Sequence, residues 1–384
     1  MKKLSALLVE ILFLAVLCMA ACATAQDQGN TLVLGGIGPL TGDYATYGVS
    51  VKQGAQIAVD QINASGGVNG IAFALKFEDD EADPAKAVNA YNRLIDAGMA
   101  VSLGAVTSGA CIAVAGETQK DGIFMITPSG SQKECVQYDN CFRICFTDPQ
   151  QGKASADYIA ENLDAEKIAV IYDQSNDYSV GITESFREQA SMHGLEIVTE
   201  QAFTEQTNTD FHIQLQKAKS AGADLIFLPV YAQEAASVLI QAQKAGIEIP
   251  FFGCDGLDGI FEKLGTDNAE AAEGVMFLTP FSADADDVQT KAFVAAYQNA
   301  YGTTPDQFAA DGYDAVYTIK EAMEKADIQD VSIGIRALGK KLTEAMTKIQ
   351  VDGLTGAMTW TADGEPSKEA RAVTIKKGKY VFAS

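Results

Sequence analysis

The feature that most constrains this chain is a regular alternation, from residue 31 onward, of short apolar runs and amphipathic stretches. Residues 32–37 and 73–78 read as strands, with a helix between them at residues 47–63. A second helix begins at Asp83-Pro84, where an N-cap aspartate precedes a proline in the first turn. Strands that alternate with helices of this length form parallel sheets covered by helices on both faces. The sequence therefore predicts an α/β fold.

The alternation runs once over residues 31–146 and then restarts, which indicates two similar lobes in series. The predicted division assigns residues 31–146 and about 279–353 to the first lobe. It assigns about 147–278 and 354–384 to the second lobe, including a hairpin at residues 372–382. Because no low-complexity linker separates the lobes, we expect a hinge of several strands with a ligand cleft beside it.

The first residues read as an export signal. Two lysines precede an unbroken apolar stretch over residues 11–21, which is shorter than the roughly 20 residues of a membrane-spanning helix. Small residues before Cys22 resemble the lipobox at which bacterial lipoproteins are cleaved and acylated. We therefore expect a lipoprotein signal peptide at 1–21, a tether at 22–30 and a protein anchored at the cell surface or in the periplasm. Simple secretion, with cleavage near Ala25, is the alternative.

The charge balance excludes one large class of partners. The chain carries 28 Lys and Arg residues against 51 Asp and Glu residues, a formal charge of −23. Affinity for nucleic acid depends on basic side chains that neutralise phosphates, and anionic membranes likewise attract basic segments. We therefore expect neither nucleic acid nor an anionic membrane surface as a partner.

Export makes cysteine pairing chemically possible. Cys135 and Cys141 flank a polar loop, at a spacing that a short disulfide could bridge. The sequence favours this disulfide, with free buried thiols as the alternative. A zinc site is disfavoured, because no histidine lies near and no Cys-x-x-Cys pair is present. The redox state of Cys111, Cys145 and Cys254 stays open.

Motifs for catalysis and cofactors are weak in this chain. Gly36, Gly38 and Gly42 follow the first strand, but their spacing departs from the G-x-G-x-x-G dinucleotide fingerprint and a proline interrupts it. His193 and His212 both fall in helical stretches, so a general base is missing, and no Gly-x-Ser-x-Gly elbow occurs. We expect no enzyme activity, no cofactor and no metal.

More informative residues stand where strands of the first lobe end. Thr107 and Ser108 follow the third strand and begin a helix, and Ser129 and Ser131 follow the fourth strand. Hydroxyl groups together with free N–H groups at a helix N-terminus suit an anion. The first lobe is therefore predicted to offer a site for a carboxylate.

The second lobe carries a complementary set of residues. Tyr178, Tyr231 and Asp255 each come just after a strand. An anion pocket on one lobe and a lone acid with tyrosines on the other describe a receptor for a zwitterion with an apolar tail. The alternative for each residue is structural, since serines and threonines cap helices and tyrosines pack in cores.

Several longer motifs occur in order along the chain, at residues 38–48, 60–67, 79–84, 122–128 and 253–256. The first reads Gly-Pro-Leu-Thr-Gly-Asp-Tyr-Ala-Thr-Tyr-Gly and the last Gly-Cys-Asp-Gly. With these motifs, essentially the whole chain after the leader resembles the substrate-binding proteins of ABC importers, in the branched-chain amino-acid (Leu/Ile/Val) family of type I periplasmic binding proteins. The resemblance implies a two-lobed Venus-flytrap fold. It also implies capture of a hydrophobic amino acid by hinge closure and delivery, by a monomer, to permease and ATPase subunits.

The resemblance further implies roles for single residues. Ser108 and Ser131, with Thr107 beside them, would hold the ligand carboxylate. Ser129 would offer its backbone to the ammonium group, and Asp255, where the family often has glutamate, would be its charged partner.

The remaining site residues implied by the resemblance are aromatic. Tyr47, Tyr178, Tyr231 and Phe281 would form the walls of the side-chain pocket. Two alternatives to an amino-acid importer stay open at this point. One is a sensor or receptor of the same fold for an amide, urea or an aromatic acid, and the other is an exported enzyme.

Overall fold

The computed structural model of the protein describes residues 30–369 and 371–383. The predicted signal peptide, the acylation site at Cys22 and the tether up to residue 29 lie outside the described residues. Within the described part of the chain, no helix combines the length and the apolar character needed to cross a bilayer.

The strands fall where the apolar runs predict them, and most are short and buried. Among the described residues they are β1 (Thr31–Gly38), β2 (Ala72–Asp79), β3 (Val101–Ala105), β4 (Met125–Thr127), β5 (Cys141–Arg143), β6 (Lys167–Asp173), β7 (Glu196–Phe203), β8 (Leu225–Leu228), β9 (Phe251–Gly253), β10 (Met276–Thr279), β11 (Gln350–Gly353), β12 (Gly356–Thr359), β13 (Arg371–Lys376) and β14 (Lys379–Phe382).

The α-helices between these strands are, in the same part of the chain, α1 (Ala45–Ala64), α2 (Pro84–Asp96), α3 (Ser108–Asp121), α4 (Asp148–Asn162), α5 (Asp177–His193), α6 (His212–Ser220), α7 (Ala232–Lys244), α8 (Ile260–Leu264), α9 (Val288–Tyr301), α10 (Gln307–Lys325) and α11 (Ile335–Met346). The predicted start of α2 is confirmed, because the Asp83 side chain accepts a hydrogen bond of 2.8 Å from the backbone N–H of Lys86.

Five parallel strands form the first sheet, in the order β2-β1-β3-β4-β5. One face packs against α1, α10 and α11 through a large apolar cluster that includes Leu34, Ala55 and Ile319. The other face packs against α2 and α3, with Tyr91 and Val114 in the contact. Covering both faces explains why the strands read as continuous apolar runs.

Seven strands form the second sheet, in the order β14-β13-β10-β9-β8-β6-β7. The strands from β7 to β10 are parallel to their neighbours, whereas β13 and β14 add an antiparallel edge, as the predicted hairpin requires. Helices α4 and α5 cover one face, and α6, α7 and α8 cover the other.

The chain passes between the lobes three times, between β5 and α4, between β10 and α9, and between β12 and β13. A buried lysine in the third passage connects it to the first passage. Lys368 Nζ donates to Ile144 O at 2.8 Å and to Thr355 Oγ1 at 2.7 Å, and it forms an ion pair of 3.1 Å with Asp311 of α10. The hinge therefore has a fixed polar centre.

The structure places the last lobe boundary later than predicted. Strands β11 and β12 pair as an antiparallel hairpin, and the predicted boundary at residue 354 falls inside it. Leu354, Met358 and Trp360 belong to the first lobe's core, and the backbone N–H of Leu354 donates to Asp314 of α10 at 2.9 Å. The second lobe's sheet resumes only at β13.

The predicted disulfide between Cys135 and Cys141 is not formed. Both residues are buried free thiols, as are Cys111, Cys145 and Cys254. Cys135 Sγ lies 3.7 Å from Ser108 O, whereas Cys141 Sγ lies 3.6 Å from Thr118 Oγ1. The two sulfur atoms therefore contact opposite ends of helix α3, and closeness in sequence does not bring them together.

Helices α1 and α10 approach unusually closely. A methyl group on Gly54 of α1 would overlap the carbonyl oxygen of Ala309, and one on Gly312 of α10 would overlap the carbonyl oxygen of Val51. Because backbone rather than a flexible side chain fills the space, neither glycine can be enlarged without moving a helix.

Replacing Gly54 with alanine should lower the free energy of unfolding by about 1–3 kcal/mol, since the added methyl group forces the two helices apart. Gly116→Ala in α3 is the matched control, because a methyl group there meets nothing within 4 Å, and alanine favours a helix interior by up to about 1 kcal/mol. Urea denaturation of both variants measures the difference. Equal stability of the two variants would contradict the close contact.

Candidate functional site

The first wall of the candidate site lies at the end of β3. Thr107 is the N-cap of α3, but its side chain makes no capping bond, and its buried Oγ1 has no hydrogen-bond partner. Ser108 opens the helix, and its Oγ accepts a hydrogen bond of 3.2 Å from the backbone N–H of Gln132. The helix N-terminus and the free hydroxyl of Thr107 together form an anion-binding surface.

The loop after β4 continues this wall. Ser129 Oγ donates to Val106 O at 2.8 Å, which ties the loop to the end of β3. Ser131 is 1% exposed, and its Oγ has no partner among the described residues. A buried hydroxyl without a partner costs about 1–3 kcal/mol, so Ser131 is suited to a ligand that completes its hydrogen bonding.

A buried arginine fixes the position of this loop. Arg143 Nη1 donates to Gly130 O at 2.9 Å and to Gln132 O at 3.1 Å, and its Nε lies 3.0 Å from Glu365. The guanidinium therefore holds the backbone on both sides of Ser131.

The opposite wall comes from the second lobe and centres on Asp255. This residue follows β9 in a single 3-10 turn and is 4% exposed. Tyr178 OH donates to Asp255 Oδ1 at 2.8 Å, and the backbone N–H of Asp255 donates to Gln151 Oε1 at 3.1 Å. Burial raises the pKa of Asp255 to about 6, although the hydrogen bond from Tyr178 lowers it.

Tyrosine rings fill the space between the walls. Tyr178 lies in the first turn of α5 and stacks on Tyr231, the N-cap of α7, with 4.8 Å between ring centroids. The ring of Tyr47, from α1 of the first lobe, lies 5.3 Å from that of Tyr231 and 4.6 Å from that of Phe308. These rings offer an apolar surface next to Asp255.

Tyr47 also bridges the two lobes. Its hydroxyl donates to Gly256 O and accepts from the backbone N–H of Ala232, both at 2.7 Å. Nearby, Tyr44 OH donates to Glu234 Oε1 at 2.9 Å. Because Tyr44 and Tyr47 belong to the first lobe and their partners to the second, the lobes are in their closed arrangement.

A small cavity of about 10 Å³ lies between the lobes, enough for roughly one water molecule. Six of the predicted residues line it, whereas Ser108 and Ser131 do not. Val106, Gly256 and Phe308 also line the cavity and were missed from the sequence. The six predicted residues are Tyr47, Thr107, Ser129, Tyr178, Tyr231 and Asp255.

Phe281 does not line this cavity, so its predicted place in the pocket is wrong. It lines two larger cavities of about 830 and 440 Å³ beside the hinge, and its ring lies 6.1 Å from that of Phe293 in the first lobe's core. The physical reason is that Phe281 follows β10, where the chain crosses between the lobes.

Asp148 is the most important residue that the sequence reasoning missed. It is fully buried at the start of α4, its backbone N–H donates to Ser131 O at 3.0 Å, and neither carboxylate oxygen has a hydrogen-bond partner. Burial raises the pKa of Asp148 well above its usual range and the charge of Asp255 adds to this, whereas the neighbouring Ser131 hydroxyl and the charge of Arg143 lower it. The strand-end rule could have found it, since Asp148 follows β5.

Comparison with known proteins finds matches along most of the chain. A family model described as a periplasmic binding protein matches residues 31–379. The chain is 30% identical to the Leu/Ile/Val-binding protein homolog 3 of Brucella melitensis over 364 residues, which cover 94% of each chain.

Two solved structures show the same architecture. The branched-chain amino acid transporter substrate binding protein LivJ of Streptococcus pneumoniae, in complex with isoleucine, is 30% identical with a TM-score of 0.82, and the match covers 92% of this chain and 100% of that one. The leucine binding protein LivK of Thermotoga maritima is 28% identical with a TM-score of 0.82, covering 92% of this chain and 98% of that one.

These matches confirm the predicted two-lobed α/β fold and the resemblance that the motifs carry. The family model covers both lobes, and the relatives align along nearly their whole length. The chain therefore belongs to the periplasmic binding protein family, among the type I members that include the Leu/Ile/Val-binding proteins.

Proposed function

We propose that this protein is an extracytoplasmic receptor that captures a hydrophobic amino acid, of the leucine, isoleucine or valine type, between its lobes. The observation that carries the proposal is the buried carboxyl group of Asp255, which lines the cavity between the lobes together with the unpartnered hydroxyl of Thr107 at the N-terminus of α3. A zwitterion offers an ammonium group to the carboxyl group of the second lobe and a carboxylate to the hydroxyl group of the first. The relatives named above include a LivJ protein in complex with isoleucine, which supports the same ligand class here.

The polar half of the ligand would lie across the two walls. Ser108, Ser131 and Thr107, with the N-terminus of α3, would hold its carboxylate. Asp255, Asp148 and the backbone of Ser129 would receive its ammonium group. Charge-assisted hydrogen bonds of this kind are strong in a site that excludes water.

The apolar half of the ligand would lie among aromatic rings. Tyr47, Tyr178, Tyr231 and Phe308 surround the small cavity, and Val106 adds an aliphatic contact. None of these side chains offers a charge to a ligand side chain, which favours a branched aliphatic group. An amino acid is much larger than a cavity of about 10 Å³, so it enters when the lobes separate, and the closed form that holds it must keep the tyrosines further apart than they are in this structure.

Delivery of the ligand to a membrane transporter would depend on closure of the lobes. The closed form differs from the open form in the relative position of the lobes, which a permease can recognise. We propose that the receptor, anchored through Cys22 or free, passes its ligand to the permease and ATPase subunits of an ABC importer. It acts as a monomer, without enzyme activity.

A thermal melt of residues 23–384 tests the ligand class. The protein is first refolded to remove carried ligand and is then melted with each of the twenty amino acids, urea, short amides and benzoate. A ligand at about 100 times its Kd adds roughly 2.7 kcal/mol of stability, so we expect leucine, isoleucine or valine to raise the Tm by several degrees. Stabilisation by an amide or an aromatic acid alone would overturn the proposed ligand, though not the fold.

Asp255→Asn should weaken leucine binding by at least about 30-fold, because an amide leaves the buried ammonium group without its charged partner. Calorimetry on leucine and on 4-methylpentanoate, which lacks the ammonium group, isolates this effect. The wild type should prefer leucine strongly, and the variant should lose most of that preference. Glu248→Gln, an exposed change on the same lobe, is the control, and an unchanged preference in Asp255→Asn would contradict the assignment.

Tyr47→Phe removes both hydrogen bonds of the hydroxyl that bridges the lobes. Since each contributes about 0.5–1.5 kcal/mol, we expect leucine to dissociate roughly 10- to 100-fold faster with little change in association rate. Stopped-flow fluorescence measures both rates. In the control Tyr158→Phe, the lost hydroxyl makes no hydrogen bond among the described residues, and the ring stacks within the second lobe. Equal dissociation rates in the two variants would argue against the bridge.

A further inference from the structure

The N-terminus of α10 receives carboxylates from both lobes. Asp306, its N-cap in the first lobe, accepts a hydrogen bond of 2.9 Å from the backbone N–H of Ala309. Asp258 of the second lobe accepts one of the same length from the backbone N–H of Gln307. A helix N-terminus attracts negative charge, so the helix draws the second lobe's loop onto the first lobe.

Further bonds connect this contact to the ligand site. Gln307 Nε2 donates to Asp255 O at 3.1 Å, and Gln307 Oε1 accepts from Thr279 Oγ1, at the end of β10, at 2.8 Å. Asp255 lies three residues before Asp258 in the same loop. The start of α10 therefore fixes the loop that presents Asp255, and it does so only while the lobes are together.

The two carboxylates lack a cationic partner. Asp258 is 1% exposed, and neither it nor Asp306 forms an ion pair with a lysine, arginine or histidine of the described chain within 4.0 Å. Lys263 Nζ instead donates to Asp43 O. The titratable or charged groups that face the pair are Glu262 of α8, Tyr297 of α9, Tyr380 of β14 and, around the adjoining cavity, Asp284 and Lys379, which lie 3.9 Å apart.

Burial and the charges of neighbouring carboxylates both raise the pKa of these two carboxyl groups. Burial raises the pKa of Asp258 to about 8, with the charge of Asp306 adding to the effect. Burial also raises the pKa of Asp306 to about 6, with the charge of Glu262 adding. Since Asp258 leaves the helix when the lobes part, both groups return toward ordinary carboxyl behaviour in water.

We propose that Asp258 is a positioning residue that makes lobe closure proton-linked, because the closed form holds one proton on the Asp258–Asp306 pair and the open form releases it. The inference rests on the capture by closure proposed above. A pKa raised in the closed form stabilises that form at low pH, and the benefit is lost as the pH rises through the closed-form value. Ligand affinity should therefore fall as the pH rises through the neutral range.

Calorimetric titration of the wild type with leucine tests this between pH 6 and pH 8.5. We expect the affinity to fall by up to about tenfold per pH unit across the lower part of that range. Repeating the titration at pH 7 in buffers of different ionisation enthalpy counts the protons, and we expect close to one taken up per leucine bound. Asp255 cannot mimic this, because its protonation would remove the ammonium's partner and weaken binding at low pH.

Asp258→Asn keeps an oxygen that can accept from Gln307 and removes the charge. We expect it to bind leucine at pH 8 at least as tightly as the wild type, with a flat pH profile and proton uptake near zero. Asp306→Asn is the second variant, and it should flatten the profile in the same way. Asp267→Asn, an exposed change on the second lobe, should leave the wild-type profile intact.

The outcomes separate this inference from the proposed function. If the wild type binds leucine with a flat pH profile, or if Asp258→Asn keeps the wild-type proton uptake, the linkage is wrong while capture of leucine stands. If the wild type binds no leucine at any pH, the proposed ligand is wrong. The proton count with whichever ligand stabilises the protein then decides the linkage, with close to one proton supporting it and none overturning it.

Discussion

The closed cleft is governed by an imbalance of buried charge. Among the described residues, eight carboxylate side chains are buried but only two cationic ones, Arg143 and Lys368. Both cations are committed elsewhere, Arg143 to Glu365 and the loop around Ser131, and Lys368 to Asp311 at the hinge. In the described part of the chain neither cation forms an ion pair with Asp148 or Asp255, although the charge of Arg143 lowers the pKa of Asp148 and that of Lys368 lowers the pKa of Asp255. Under the function proposed above, the ammonium group of a zwitterion would supply the counter-charge that Asp255 lacks.

Much of the fold and six of the nine residues that line the cavity could be predicted from the sequence, largely for one physical reason. In parallel α/β sheets the carboxyl ends of strands converge on one edge, so residues that follow strands, such as Ser129 and Asp255, come together without any knowledge of contacts. The same rule applies to Asp148, which follows β5 but was not predicted as a site residue. Phe281, which the resemblance and not this rule assigned to the pocket, follows β10 at a crossing between the lobes, and its ring packs in the first lobe's core.

The remaining errors share a cause, which is that sequence distance was taken for spatial distance. Cys135 and Cys141 stand six positions apart, yet their thiols contact opposite ends of α3. The hairpin of β11 and β12 follows the first lobe's last helix and was divided between lobes, although Trp360 packs in the first lobe's core. Contacts between the lobes, such as those of Tyr47 and Gln307, join residues about 200 or 50 positions apart. Local sequence patterns do not reveal these long-range contacts.

The close packing of α1 on α10 through Gly54 and Gly312 has a mechanical consequence. Tyr47 lies at the start of one helix and Gln307 at the start of the other, and Ser50 joins the two starts by donating to Asp306 at 2.7 Å. With backbone pressed against backbone, the two helices cannot slide past one another, so both contact points reach the second lobe in the same movement. We therefore expect the Tyr47 and Gln307 contacts with the second lobe to form or break together when the lobes move.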